Sequence, residues 1–260
     1  MKKLLFFLLI CTNAWSTQTI LISDIDDTIK ITAVKEPRIA GYALRDEEFS
    51  GMSNLYSFFL CDEKIPCLDK NVIYVTGAPG KVSVLGAKFL KKNKFPNQEN
   101  ILWRDTKQST LDFKKQIIEK FIVGNLKSFK YILVGDNGEF DPQVYQYIKN
   151  KFPERVLGTF IHSIYLPKGQ ERKLFEGQLA YLTSVDLAVH FYNMGQIAGD
   201  KLQKLIDMGL LEVRKKENNV LKSWFACKYF QHMNFFPQIK GNSASLEGFK
   251  RELFASKKCQ

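Results

Sequence analysis

Hydrophobic positions along the chain fall into short solid runs separated by stretches of helical spacing, the pattern of buried parallel strands alternating with amphipathic helices. Residues 20–23 form the first run, and 71–75, 101–105, 130–134 and 156–165 follow as further strands with their exits. Between them, residues 45–59 carry Phe49, Met52, Leu55, Tyr56 and Phe59 at helical spacing. Residues 81–92 predict a basic amphipathic helix, Ser109 or Thr110 caps another that carries 113–118, and 143–151 supply a fourth. Residues 31–40, with Pro37, predict a loop or short hairpin, and residues 181–211 a pair of helices. The alternation predicts an α/β fold: a mostly parallel sheet flanked by helices, with a small cap or none and a helical C-terminal extension.

Two of the strands end in acids. The first runs into Ser23-Asp24-Ile25-Asp26-Asp27-Thr28, which places three carboxylates at a strand tip, where open α/β sheets build their sites. Acids this close repel one another unless a cation sits among them, and Mg²⁺ suits hard oxygen ligands and bridges carboxylate to phosphate. Residues two apart on an extended turn face one pocket, so Asp24 reads as nucleophile and metal ligand and Asp26 as general acid and base. Thr28 steadies the loop, although an acidic turn capping a helix explains the same residues structurally. The strand at 130–134 ends likewise in Gly135-Asp136-Asn137-Gly138-Glu139-Phe140-Asp141-Pro142. There Asp136 would complete the metal shell and Asp141 would hold a coordinating water or orient a lysine. The strand at 71–75 runs into Thr76-Gly77-Ala78-Pro79-Gly80, a hydroxyl and open backbone able to reach a phosphate oxygen, or a plain turn.

The string Asp24-x-Asp26-x-Thr28 resembles the first motif of the haloacid dehalogenase superfamily of phosphotransferases. Residues 23–30 are similar to the catalytic domain of the actin-patch type of Mg²⁺-dependent phosphatidate phosphatases. Thr76 resembles the second superfamily motif, and residues 135–142 resemble that family's Gly-Asp-Ser-Gly-Glu-x-Asp-Pro, with Asn137 in place of Ser and Tyr145 matching in the following helix. The resemblance covers residues 20–164. It implies a fixed lysine at the start of the helix around 113–118, Lys114 by the neighbouring apolar positions and Lys115 as the alternative. It also implies that Arg104, in a string similar to the family's Leu-Arg-Asp, holds a phosphate or lipid head group with its planar fork. The activity implied is Mg²⁺-dependent phosphomonoester hydrolysis through an aspartyl phosphate, with phosphatidate as the family's substrate. A module that grips a phosphorylated lipid without turnover is the rival, and soluble phosphomonoesters such as nucleotides are the other substrates to consider.

The first sixteen residues change the picture of where this chemistry happens. Lys2 and Lys3, an apolar core over residues 4–10 and Ala14-Trp15-Ser16 have the form of a cleaved secretory signal, predicting an exported protein whose mature chain starts at Thr17. A lipid anchor on Cys11 is opposed by Ile10, where a small residue is needed. The run is too short to span a bilayer. Residues 17–211 then form the phosphatase domain and 212–260 a basic, aromatic extension containing Trp224, Phe225, Tyr229, Phe230, Phe235 and Phe236. The formal charge of +11 becomes +9 without Lys2 and Lys3, which favours anionic partners, a phosphorylated small molecule or anionic lipid, with peripheral contact to a membrane surface. A nucleic-acid partner is not expected. Four cysteines remain, Cys61, Cys67, Cys227 and Cys259, an even number that predicts disulfides in an exported chain, with three pairings open. The histidines, His162, His190 and His232, lack the spacing of a zinc site.

Overall fold

A computed structural model describes residues 18–32, 46–60, 70–80, 83–104, 107–165, 174–214 and 244–255. The expected leader, the four cysteines, Asp105 and the aromatic part of the extension lie outside them. Six parallel strands are described: β1 (Thr19–Asp24), β2 (Lys70–Pro79), β3 (Ile101–Arg104), β4 (Lys130–Asp136), β5 (Val156–His162) and β6 (Leu179–Tyr181). They lie in the order β3-β2-β1-β4-β5-β6, every pairing parallel.

Period-two alternation divides the strand residues between two cores. Leu21, Val72, Tyr74, Ile132, Val134 and Phe160 join the larger cluster, with α1 (Met52–Leu60), α2 (Ser83–Lys92), α5 (Ser184–Asn193), α6 (Gly199–Arg214) and α7 (Ala244–Ala255). Ile20, Ile22, Ile73, Val75, Tyr131, Leu133 and Ile161 join the smaller, against α3 (Thr110–Gly124) and α4 (Asp141–Lys151). Both faces are therefore covered, which is why the strands read as unbroken apolar runs. Chain order reverses between β1 and β4, and in such sheets the crevice outside the carboxyl ends of the strands at this switch point is the usual ligand position.

Several boundaries differ from the sequence-based expectation. The helix expected over residues 45–59 begins only at Met52. Gly51 adopts φ +81°, and the Glu48 carboxylate takes hydrogen bonds from the Ser53 amide (2.9 Å) and hydroxyl (3.0 Å), so the preceding residues stay outside the helix. Glu48 bridges Lys30, and Phe49 donates its amide to the Ile29 carbonyl (3.0 Å), which ties this segment to the loop after β1. β6 sits where a helix start was expected, and its three residues are too few to show a period. The domain boundary expected at residue 211 falls inside α6, and α7 returns onto α6 with Leu246, Phe249 and Leu253 in the larger core.

A capping box opens α5. Thr183 accepts from the Asp186 amide, and one Asp186 oxygen receives the amides of Leu182 and Thr183 and the Thr183 hydroxyl. The other oxygen has no hydrogen-bond partner among the described residues, and burial pushes the Asp186 carboxyl up to about 6, from 3.8. A carboxyl raised on folding favours the protonated form, so its contribution to stability is lost as pH rises between those values, by at most about 3 kcal/mol. Relative to Asp186→Asn, the wild type should lose stability between about pH 3.5 and pH 7, as read by urea titrations at each pH. A constant difference would contradict the raised carboxyl.

Candidate active site

Each acid arrives on a rigid element. Asp24 is the last residue of β1 and Asp136 the last of the adjacent β4; Asp141 stands in the first turn of α4, which the Gly-Asp loop delivers back over the sheet edge. All three are buried, and each offers an oxygen within 4.8 Å of the others. Lys114, buried in the second turn of α3, donates to Asp24 Oδ1 (2.7 Å) and to Asp141 Oδ1 (2.6 Å). Ser109 caps that helix by accepting from the Asp112 amide, which fixes the turn that points Lys114 inward. The neighbouring Lys115 instead lies over the Tyr147 ring at 5.2 Å, so the lysine within the cluster is Lys114.

Close backbone approach makes this geometry possible. The Asp136 amide donates to Asp141 Oδ2 (3.2 Å), and a Cβ added to Gly135 would come within 2.6 Å of the Asp141 Cβ. Gly135→Ala should push Asp141 off Lys114 and cost about 1–3 kcal/mol, the usual penalty of overpacking. Denaturant melts check the stability, and a variant as stable as wild type would contradict the tight fit.

The electrostatics follow from burial. Desolvation, opposed by Lys114 and reinforced by Asp141 and Asp26, holds the Asp24 carboxyl well above the usual carboxylate range. Desolvation likewise raises Asp136, with Asp141 and Asp24 adding repulsion. Burial alone would lower the Lys114 ammonium, but Asp141, Asp24, Glu139 and Asp136 together outweigh it and hold it well above its ordinary value. These acids therefore favour the charged form of Lys114, while burial and mutual repulsion disfavour full ionisation of Asp24 and Asp136. A hard divalent cation fits this donor set: three buried oxygens of separate carboxyls converge, and a cation among them would relieve the mutual repulsion that raises Asp24 and Asp136.

Asp26, half-buried, follows Asp24 by two residues at the end of β1. Its carboxyl is pushed up to about 6 by burial, against the opposing charge of Lys30. Thr76 donates to Asp26 Oδ2 (3.4 Å) and accepts from the Ala78 amide (3.0 Å), so its hydroxyl joins the turn at residues 76–78 to the acid. Gly77 packs against Thr110, and a Cβ there would lie 3.3 Å from Glu139 Oε2. Thr28 donates to Asp24 Oδ2 (3.2 Å). Arg104 has a different setting from the expected phosphate fork. Its Nε donates to the Gly77 carbonyl and its Nη1 to the Gln108 carbonyl, each at 2.6 Å, so it braces the turn after β2 against the approach to α3.

Asp27, at φ +57°, turns the chain out of the motif and is tied from several sides. Its Oδ1 accepts from the Thr32 amide (3.0 Å) and hydroxyl (2.8 Å), its Oδ2 from the Tyr165 hydroxyl (2.5 Å), and its carbonyl lies 2.7 Å from His162 Nδ1. His162 stacks on Tyr181 and takes the edge of Phe49. Asn137 has a reason to be longer than the family's Ser: its amide group donates to the Tyr165 carbonyl (2.6 Å) and accepts from the Tyr165 amide (2.9 Å). Sequence reasoning missed His162, Tyr165 and Lys30 as supports of this loop.

The sequence model of the family described as "Phosphatidate phosphatase APP1, catalytic domain" matches residues 19–163, more than half of the chain, from the start of β1 past the end of β5. An uncharacterized protein of Schizosaccharomyces pombe, C29B5.04c, is 30% identical over 156 residues, which covers 55% of this chain and 25% of that protein. Among solved structures, the class C acid phosphatase from Bacillus anthracis with tungstate bound covers 73% of this chain and 78% of its own at 13% identity and a TM-score of 0.36. A second structure of that enzyme gives 12% identity, the same coverage and a TM-score of 0.35.

Proposed function

The chain belongs to the phosphatidate phosphatase APP1 catalytic-domain family, and on that premise we propose that it hydrolyses phosphomonoesters through an aspartyl phosphate, with Asp24 as nucleophile and Asp26 as general acid and base. The observation that carries this reading is the buried Lys114 held between Asp24 and Asp141 with Asp136 within reach, a charge cluster assembled at the sheet edge beside a second, less buried acid.

In the first step an Asp24 carboxylate oxygen attacks phosphorus, the bond to the leaving oxygen breaks, and Asp26 gives that oxygen its proton. In the second, Asp26 takes a proton from water, the water oxygen attacks the same phosphorus, and Asp24 leaves as a carboxylate with inorganic phosphate released. Lys114 holds Asp24 in place and offsets charge, and Asp141 fixes Lys114. Thr76, with the Gly77 backbone, lines the phosphate side. Mg²⁺ would be held by Asp24, Asp136 and the Asp26 backbone carbonyl, with Asp141 close by, and would supply charge neutralisation at the transferring phosphoryl group. A carboxyl near 6 at Asp26 lets one group be acid in one step and base in the next at mildly acidic to neutral pH.

Phosphatidate at a membrane surface is the proposed substrate, supported by family membership and by the net positive charge. The test is phosphate release from phosphatidate vesicles, a nucleoside monophosphate and 4-nitrophenyl phosphate, each with Mg²⁺ and with chelator. Mg²⁺-dependent release that is fastest on the vesicles is expected. Release untouched by chelator would contradict the metal, and vesicle binding without release from any substrate would leave a lipid-binding module.

A further inference from the structure

Three large aromatic side chains stand out into solvent among the described residues: Trp103, Phe140 and Phe175, which are 42, 40 and 40% exposed. Scattered singly, such rings need no explanation, but pairing and bonds place all three beside the acidic site. Trp103 pairs in register with Thr76, whose hydroxyl reaches Asp26, and the next residue, Arg104, holds the Gly77 carbonyl (2.6 Å). Phe140 directly precedes Asp141 at the start of α4, in the loop whose Glu139 lies beside Gly77. Phe175 is fixed to that same first turn through Gln178. Its amide donates to Gln178 Oε1 (3.0 Å), its carbonyl accepts from the Gln178 amide (3.1 Å), and Gln178 Nε2 donates to the Pro142 carbonyl (2.8 Å). Val84, 64% exposed, stands in the first turn of α2, where a Cβ on Gly86 would lie 3.3 Å from Ile25, the residue between Asp24 and Asp26.

These residues rim the carboxyl edge of the sheet around the acids. At the opposite edge, around the end of α3 and the start of β5, the exposed apolar side chains are the aliphatic Val123, Leu126 and Leu157. The proposed chemistry uses none of the three rings. A soluble phosphomonoester could reach the acids without them, whereas a lipid phosphate stays at the bilayer surface, so the edge that carries Asp24 must come to it. Aromatic rings suit that contact, because they settle at the level of the head groups. The charge has the matching sign: the net positive chain, with exposed Lys107 on this edge between β3 and α3, is drawn to an anionic surface. From this placement we propose that the carboxyl edge is the face that docks on an anionic lipid bilayer, with Trp103, Phe140 and Phe175 entering its head-group layer. The proposal rests on the hydrolase reading above, in which phosphatidate meets Asp24.

The test measures sedimentation of the full chain with vesicles of phosphatidylcholine and phosphatidate, in chelator so that no turnover occurs. Trp103→Ala, Phe140→Ala and Phe175→Ala should each weaken vesicle binding about 5-fold, and the triple variant by about 50-fold or more. Leu126→Ala, at the opposite edge, should bind as the wild type does. With Mg²⁺, kcat/KM on the vesicles should fall with binding, while kcat/KM on 4-nitrophenyl phosphate and on a short-chain phosphatidate dissolved as monomers stays unchanged. A triple variant that binds vesicles as well as the wild type overturns the docking face, and so does a Leu126→Ala variant that loses as much as the ring variants. Equal losses on vesicles and on the short-chain lipid mean that the rings line a substrate pocket, which also overturns it. Should Trp103→Ala or Phe140→Ala fail to fold, Phe175→Ala decides, since Phe175 lies outside both acidic motifs. A wild type that releases phosphate from no substrate overturns the hydrolase reading, while ring-dependent vesicle binding in that protein would still support the docking face.

Discussion

Asp24→Asn should abolish turnover, lowering kcat by at least about 10³-fold, while the protein stays as stable as wild type or becomes more so. The amide matches the carboxylate in size, so the end of β1 keeps its packing, and Thr28 and Lys114 keep a polar partner. What disappears is the proposed nucleophile and a buried acid whose charged form burial already disfavours. Loss of activity without loss of stability separates a residue retained for chemistry from one retained for the fold. Phosphate release and thermal melts in the presence of chelator check both halves. An active variant would contradict the role of Asp24, and a strongly destabilised one would mean that Asp24 serves chiefly as the structural partner of Lys114.

The opposite balance is expected at the cation. Lys114→Met should cost about 3–5 kcal/mol, because it strands carboxylates that have no room to reach water. The size of the loss should depend on pH. Asp24 and Asp136 already hold their protons more tightly than free carboxyls, and without Lys114 the cluster holds them more tightly still. Carboxyls raised on folding withdraw stability as pH increases, so the deficit relative to wild type should be smaller at pH 5 than at pH 8. Urea titrations with chelator at the two pH values measure it. A deficit independent of pH would contradict the coupling of Lys114 to the acids, and restoration of stability by added Mg²⁺ would support a shared electrostatic role.

The contrast between these two residues also marks what was legible in the sequence. Asp24, Asp26 and Asp136 are visible because a solid apolar run can end in acids for few reasons, and the run itself places the acids at the sheet edge. The strand pattern was readable for the same reason, since strands covered on both faces leave continuous apolar segments. Lys114 was distinguishable from Lys115 only through its apolar neighbours. The structure shows why that suffices: Phe113 and Ile118 face the smaller core and carry Lys114 to the crevice, while Lys115 turns to Tyr147. Less legible was anything that depends on contacts between distant segments. Arg104 looks like a phosphate fork in isolation, and only the fold brings the Gly77 and Gln108 carbonyls to it. Tyr165 and His162 meet Asp27 across more than a hundred residues, and no local period or motif marks them. Residues 46–51 carry helical spacing but stay outside the helix because the Glu48 carboxylate serves the start of α1 and Gly51 needs a positive φ.

The claim at the centre of this account is that Asp24 becomes phosphorylated. Borohydride added during turnover reduces an acyl phosphate to an alcohol, so a trapped Asp24 would appear by mass spectrometry as homoserine at position 24. That product is expected in the wild type only while substrate is present, in larger amount in Asp26→Asn given 4-nitrophenyl phosphate, whose leaving group needs no proton so that chiefly the second step slows, and never in Asp24→Asn. Steady phosphate release by the wild type with no modification at residue 24, under conditions that trap other acyl phosphates, would contradict it.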